Sequence, residues 1–64
     1  MQIYTAIYEN KLNGQRLNFT YSLLELEHHS EDFIHHQMLR KYINEDDIKN
    51  WTLIMKYSRE GSKE

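Results

Sequence analysis

The sequence predicts an α+β domain, ordered β-β-α-β. It is a three-stranded, mainly antiparallel sheet of order 2-1-3 with one helix packed on one face. Three observations carry this. Three strand-like stretches occur: one near the start that is apolar or aromatic on both sides, and one in the first third and one near the end that alternate apolar and polar residues with period two. An Asn13-Gly14 pair, which supplies the positive φ angles of a hairpin turn, divides the first two stretches. Between the second and third, Ile34, Met38 and Tyr42 recur every four positions with Leu39 beside them, the stripe of an amphipathic helix.

Ile3 to Tyr8 reads Ile-Tyr-Thr-Ala-Ile-Tyr, with Ile3, Thr5 and Ile7 on one side and Tyr4, Ala6 and Tyr8 on the other. Both sides are apolar or aromatic, as in a central strand. The connection from Glu9 to Gln15 is polar at Asn10, Lys11 and Gln15, so the loop is expected to exceed two residues. In the second strand Leu17, Phe19, Tyr21 and Leu23 alternate with Asn18, Thr20 and Ser22, a half-buried pattern that could run on through Leu24, Glu25 and Leu26.

The helix is predicted to start at Ser30, whose hydroxyl can accept from an orphan backbone N–H. Glu31 and Asp32 follow in the first turn and Arg40 and Lys41 lie near the end, each sign where the helix dipole favours it. Asn44 is the expected terminator, and Asn44 or Asp46 a cap for a short turn through Ile48 and Lys49. The third strand, Trp51 to Ser58, places Trp51, Leu53, Met55 and Tyr57 on one face and Thr52, Ile54, Lys56 and Ser58 on the other. A right-handed crossover through the helix joins the two outer strands. Residues 1–58 are expected to form a single compact domain and 59–64 a flexible polar tail.

One helix covers one sheet face. With Ile3 and Ile7 beneath it beside Phe19, Tyr21, Leu53 and Met55, the open face carries Tyr4, Ala6, Tyr8 and Ile54. The opposite phase of the first strand stays open, because Ala6 suits the close approach of a helix.

At 64 residues the chain is one domain at most and buries only ~60% of its unfolded surface, so it is marginally stable alone. Without cysteine it has neither disulfides nor thiolate metal sites. A net charge of −2 is not the footprint of a phosphate-binding surface. No apolar run reaches the ~18 residues of a membrane span, and the N-terminus lacks the basic and apolar regions of a signal peptide, so the expected location is cytoplasmic. Met1 leads directly into the first strand, as in a complete small gene product. Richness in Asn, Ile, Lys and Tyr suits phages and mobile elements of AT-rich bacteria.

Three constellations could carry chemistry. His28, Asp32 and His35 would share a face if the helix began early, a workable set of metal ligands. A start at Ser30 breaks that set, leaves His35 as a core histidine bordering the apolar stripe, and argues for no metal and no cofactor. Seven of the ten acids lie between Glu25 and Asp47, and the run Glu45, Asp46, Asp47 could dock on a basic partner or stand simply as a solvated face. The chain has five tyrosines and one tryptophan, residue types that are preferred anchors of protein interfaces. They can also stack on single-stranded bases, but the scattered Lys11, Arg16, Lys49, Lys56 and Arg59 form no basic groove, so nucleic acid is disfavoured. Enzyme readings fare worst. There is no cysteine nucleophile and no glycine-rich phosphate loop. An acid–histidine pair such as Glu31 with His35, one helical turn apart, could transfer a proton, but such pairs arise often by chance.

The opening Ile3-Tyr4-x-x-x-Tyr8, followed by Ser30-Glu31 at a helix start and a later strand, is similar in layout to the small epsilon subunit of bacterial RNA polymerase and to small phage inhibitors with a sheet-plus-helix fold. The resemblance implies the same architecture and a partner-binding role, and carries over no functional residue. The expected function is therefore a non-enzymatic protein–protein interaction module, a phage- or mobile-element-encoded inhibitor or regulator docking on a host macromolecule. Its candidate contact residues are Tyr4, Tyr8, Ile54, Glu45, Asp46 and Asp47. The alternatives are a homo-oligomeric structural protein, with a homodimer one form of it, a histidine-based metal or pH sensor, and a nucleic-acid-binding sheet.

Overall fold

The computed structural model describes residues 2–60. Strands β1 (Gln2–Asn10), β2 (Arg16–Ser22) and β3 (Trp51–Glu60) form one sheet of order β2-β1-β3, antiparallel at both junctions. Helices α1 (Leu23–His28) and α2 (Glu31–Tyr42) and a 3-10 turn (Glu45–Asn50) connect β2 to β3. The α+β class and the strand order are as expected, but one helix becomes one long helix, one short helix and a 3-10 turn. β3 continues through Arg59 and Glu60, which the sequence assigned to the tail. The rest of that tail, 61–64, lies outside the described residues.

The hairpin closes over five loop residues. The Asn10 N–H donates to the Gln15 carbonyl and the Gly14 N–H to the Asn10 carbonyl, each at 2.8 Å, while Asn13 Oδ1 accepts from the Gln15 N–H at 2.9 Å. Gly14 has φ +78°, a left-handed conformation that a residue without a Cβ adopts at no steric cost.

The second strand stops at Ser22, and does not run on to Leu26. Leu23, Leu24, Glu25, Leu26 and Glu27 are strong helix formers, whereas the preceding Phe19, Thr20 and Tyr21 favour strand, so the local preference changes there. His29 and Ser30 are extended and separate α1 from α2. Ser30 caps α2 as expected, its hydroxyl accepting from the Phe33 N–H at 3.1 Å. The buried side of α2 carries Ile34, His35 and Leu39 with Met38 half-buried, while Tyr42, expected in the stripe, is exposed.

The register settles the phase of β1. Tyr4 pairs with Tyr21, Ala6 with Phe19 and Tyr8 with Leu17, so Tyr4, Ala6 and Tyr8 lie beneath α2. The reading that put them on the open face is corrected, and the physical reason is packing. Ala6 is fully buried, flanked by a Tyr4–Tyr21 stack at 5.5 Å and a Tyr8–Phe19 stack at 5.9 Å. With Ile34 and Leu39 these residues make the core.

A bulge corrects the phase of β3. Ile7 pairs with Met55 but the next residue, Tyr8, pairs with Leu53, leaving Ile54 between them without a partner. Trp51 and Leu53 therefore align with Asn10 and Tyr8 on the helix side, whereas Met55 and Tyr57 align with Ile7 and Thr5 on the opposite face. Simple alternation cannot place all four together.

Candidate functional site

Two arrangements stand out, one beneath the helix and one on the bare side of the sheet. Beneath α2, a polar chain runs through the core. Tyr8 Oη lies 2.8 Å from His35 Nδ1, Tyr21 Oη lies 2.8 Å from His35 Nε2, and the Tyr21 hydroxyl donates to Glu31 Oε2 at 3.2 Å. The Lys56 ammonium closes the chain on the same Glu31 oxygen. One hydrogen pattern satisfies every member. The Tyr8 O–H donates to Nδ1, the Nε2–H donates to the Tyr21 oxygen, and the Tyr21 O–H is then free to donate to Glu31.

Burial sets the electrostatics of this chain. It pushes the Tyr21 hydroxyl well above its ordinary range, with the Glu31 charge and hydrogen bond adding to the effect. Burial likewise raises Tyr8, helped by Asp32 and Glu31. The Lys56 hydrogen bond holds the Glu31 carboxyl below its usual value. His35 is pushed down by burial; the Glu31 and Asp32 charges oppose that and Lys56 adds to it. The ring is 6% exposed and both nitrogens are engaged by tyrosines. A general base must reach its substrate's proton, and a metal ligand must offer a free lone pair. His35 offers neither, so the Glu31–His35 pair serves the core.

The other proposed ligands do not complete a metal site with it. His28 ends α1, His29 and Ser30 break the helical run, and Asp32 is exposed on α2. Among the described residues no three His, Cys, Asp or Glu side chains converge in a way that could hold a metal ion. In the acidic run, Asp47 Oδ1 accepts from Asn50 Nδ2 at 2.7 Å within the 3-10 turn, and Glu45 lies 4.0 Å from Arg40. Glu45 and Asp46 are exposed at the mouth of an open hollow of about 420 Å³.

The second arrangement is the uncovered sheet face. The pairings place Ile3, Ser22 and Arg59 at one end, then Thr5, Thr20 and Tyr57, then Ile7, Asn18 and Met55, then Glu9 and Arg16 with Thr52 at the other end. Among the described residues no helix packs on this side. Met55 is 54% and Tyr57 47% exposed, large apolar side chains beside half-buried Ile3 and Ile7. Of the contact residues expected from sequence, Tyr4 and Tyr8 lie on the opposite, covered face. Ile54 is exposed at the bulge, on the strand that contributes Met55 and Tyr57. The sequence signal for this face was the polar set Asn18, Thr20 and Ser22, which marks the side of β2 turned from the core. Carrying that mark across to β3 needs knowledge of the bulge.

Smaller features complete the surface. A cleft of about 350 Å³ lies between the hairpin base and the end of α2, lined by Arg16, Leu17, Tyr42 and Trp51. Trp51 Nε1 is the buried side-chain polar atom without a partner among the described residues. A shallower hollow between α1 and α2 carries exposed Phe33, stacked on His29 at 4.7 Å. No helix among the described residues is long and apolar enough to cross a membrane. No protein-family model, curated protein or solved structure matches this chain.

Proposed function

We propose that this protein is a non-enzymatic interaction module that works by burying its uncovered sheet face against another protein. The observation that carries the reading is the exposure of Met55 and Tyr57 beside Ile3 and Ile7 on a face with no covering layer. A row of apolar side chains between polar and charged ends has the anatomy of an interface core and rim. A nucleic-acid surface is less well supported, since Tyr57 is the sole aromatic ring aligned on this face and Glu9 sits at its end. The residues that resemble catalytic groups are engaged in the core, which favours binding over catalysis. The composition suits a phage- or mobile-element-encoded protein, and in that setting the module would act as an inhibitor or regulator of a host macromolecule. The exposed acids Glu45 and Asp46 offer such a partner a second, electrostatic contact.

Affinity capture from a bacterial lysate, followed by mass spectrometry, tests the reading. Met55→Glu and Tyr57→Glu should abolish capture while circular dichroism shows an intact fold. Capture undiminished by both substitutions would remove the sheet face from consideration.

A further inference from the structure

We infer that the occupant fitting this face is a second copy of the same chain, stacked face to face with its strands running in the opposite direction. The inference rests on reading the uncovered face as a docking surface and names a second copy, in place of a host macromolecule, as what covers it.

Charge comes first. Glu9 lies at one end of the face and Arg59 at the other. A twofold axis lying across the strands places the Arg59 end of each copy over the Glu9 end of its mate, with Arg59 over the mate's Thr52 and one strand across from its Glu9. It also sets Met55 over the mate's Tyr57, a favourable thioether–aromatic contact. Arg16, whose Nε lies 3.8 Å from Glu9 Oε2, sits on β2 and comes over the mate's Ser22, so it meets no like charge there. A twofold axis lying along the strands would instead stack Glu9 on Glu9, and like charges facing across an interface are strongly disfavoured. The face is thus complementary to itself in one orientation.

Size agrees. Three strands ~4.8 Å apart and about nine residues long at ~3.3 Å each give a footprint of roughly 400 Å² before the relief of standing side chains is counted. That is about half or more of the ~800 Å² per partner in a stable interface. Packing a second sheet at ~10 Å makes a two-sheet core of the ordinary kind.

The edge of the sheet argues for face over strand addition. β3 is an outer strand, but its bulge at Ile54 disrupts the ladder, and Lys56 in mid-strand points to the helix side and binds Glu31. A bulge and an inward-directed charge are the usual guards against an added strand. No such guard protects Met55 and Tyr57 on the face.

Sedimentation velocity over a concentration series, on the full chain, tests the proposal. The native protein should sediment at twice the chain mass at high concentration. Arg59→Glu and Glu9→Lys, each alone, should weaken self-association at least tenfold, because each sets like charges at both ends of the interface. Mixing the two variants should restore dimers. In the mixed pair the introduced glutamate of one chain faces the introduced lysine of the other, and the native Glu9 of the first faces the native Arg59 of the second. Met55→Glu should give monomers of unchanged circular dichroism. A native protein that stays monomeric at every concentration overturns the second copy as occupant. If Met55→Glu then still abolishes capture of a lysate protein, the docking face itself stands; if capture is unchanged, both readings fail. A dimer indifferent to Met55→Glu, or mixed variants that stay monomeric, also overturns the proposal.

Discussion

Tyr21→Phe isolates the keystone of the polar chain. The substitution keeps the ring, 3% exposed and stacked on Tyr4 at 5.5 Å, and removes only the hydroxyl. That oxygen stands 2.8 Å from His35 Nε2 and 3.2 Å from Glu31 Oε2. Glu31 is partly exposed and can turn to water or to Lys56, so its loss is small. The Nε2–H of His35 has no such recourse beneath the helix, and leaving a buried donor unmet costs about 1–3 kcal/mol. For a domain of this length that corresponds to a fall in Tm of roughly 5–20 °C. Tyr8→Phe is the internal control. It removes a donor to Nδ1 from a ring that is only half-buried, where water can substitute, so its loss should be closer to ~0.5–1 kcal/mol. Urea unfolding followed by circular dichroism reads both values. Equal losses, or a Tyr21→Phe loss below about 0.5 kcal/mol, would refute the assignment of Tyr21 as the sealed link.

Two further predictions concern pH and the bulge. His35 has a lowered folded pKa, so the unfolded chain takes the proton first and stability falls as pH drops below about 6.5, the ordinary histidine value. Glu31, also lowered, adds a second loss as pH falls below about 4.5, whereas the raised tyrosines Tyr8 and Tyr21 remove stability only as pH rises above about 10. Urea midpoints measured from pH 4 to 8 check the sign, and a His35→Gln variant should flatten the upper part of the acid limb. Deleting Ile54 should leave a folded protein with Leu53 and Met55 in their present pairings, because the residue has no partner on β1. Loss of dispersed amide resonances in the deletion variant would show that the bulge is required.

The fold was legible in the sequence wherever a local rule acts alone. Asn13-Gly14 marked the hairpin, Ser30 the start of α2, and the alternation of Leu17, Phe19 and Tyr21 the covered face of β2. What stayed hidden depends on two elements at once. β1 is apolar on both sides, so its phase follows from the pairing of Ala6 with Phe19, a non-local fact. The bulge at Ile54 leaves no turn residue behind, since Thr52 to Tyr57 reads as an unbroken strand. α1 was hidden because Leu23 and Leu26 satisfy strand and helix patterns over so short a run. The candidate face was half legible: its polar side on β2 could be read, and its apolar side on β3 was assigned to the core.

The histidine that looked most like chemistry organises the fold through contacts that no periodicity reveals. His35 and Glu31, one turn apart on α2, reach Tyr8 on β1, Tyr21 on β2 and Lys56 on β3, so one polar chain ties every strand to the helix. With Ala6, Phe19, Tyr21, Ile34 and Leu39 the buried apolar core among the described residues, such a chain specifies position as much as it stabilises. A slip of one residue in any strand would turn its member to the other face and leave a buried partner unmet. The bare face carries no comparable lock. Beyond the Glu9–Arg16 ion pair its side chains gain little from the register, and the alignment leaves Met55 and Tyr57 exposed beside half-buried Ile7 and buried Thr5. The covered side of the sheet holds the molecule in one arrangement. The uncovered side is where ~25 cal/mol per Å² of exposed carbon surface remains to be gained by association.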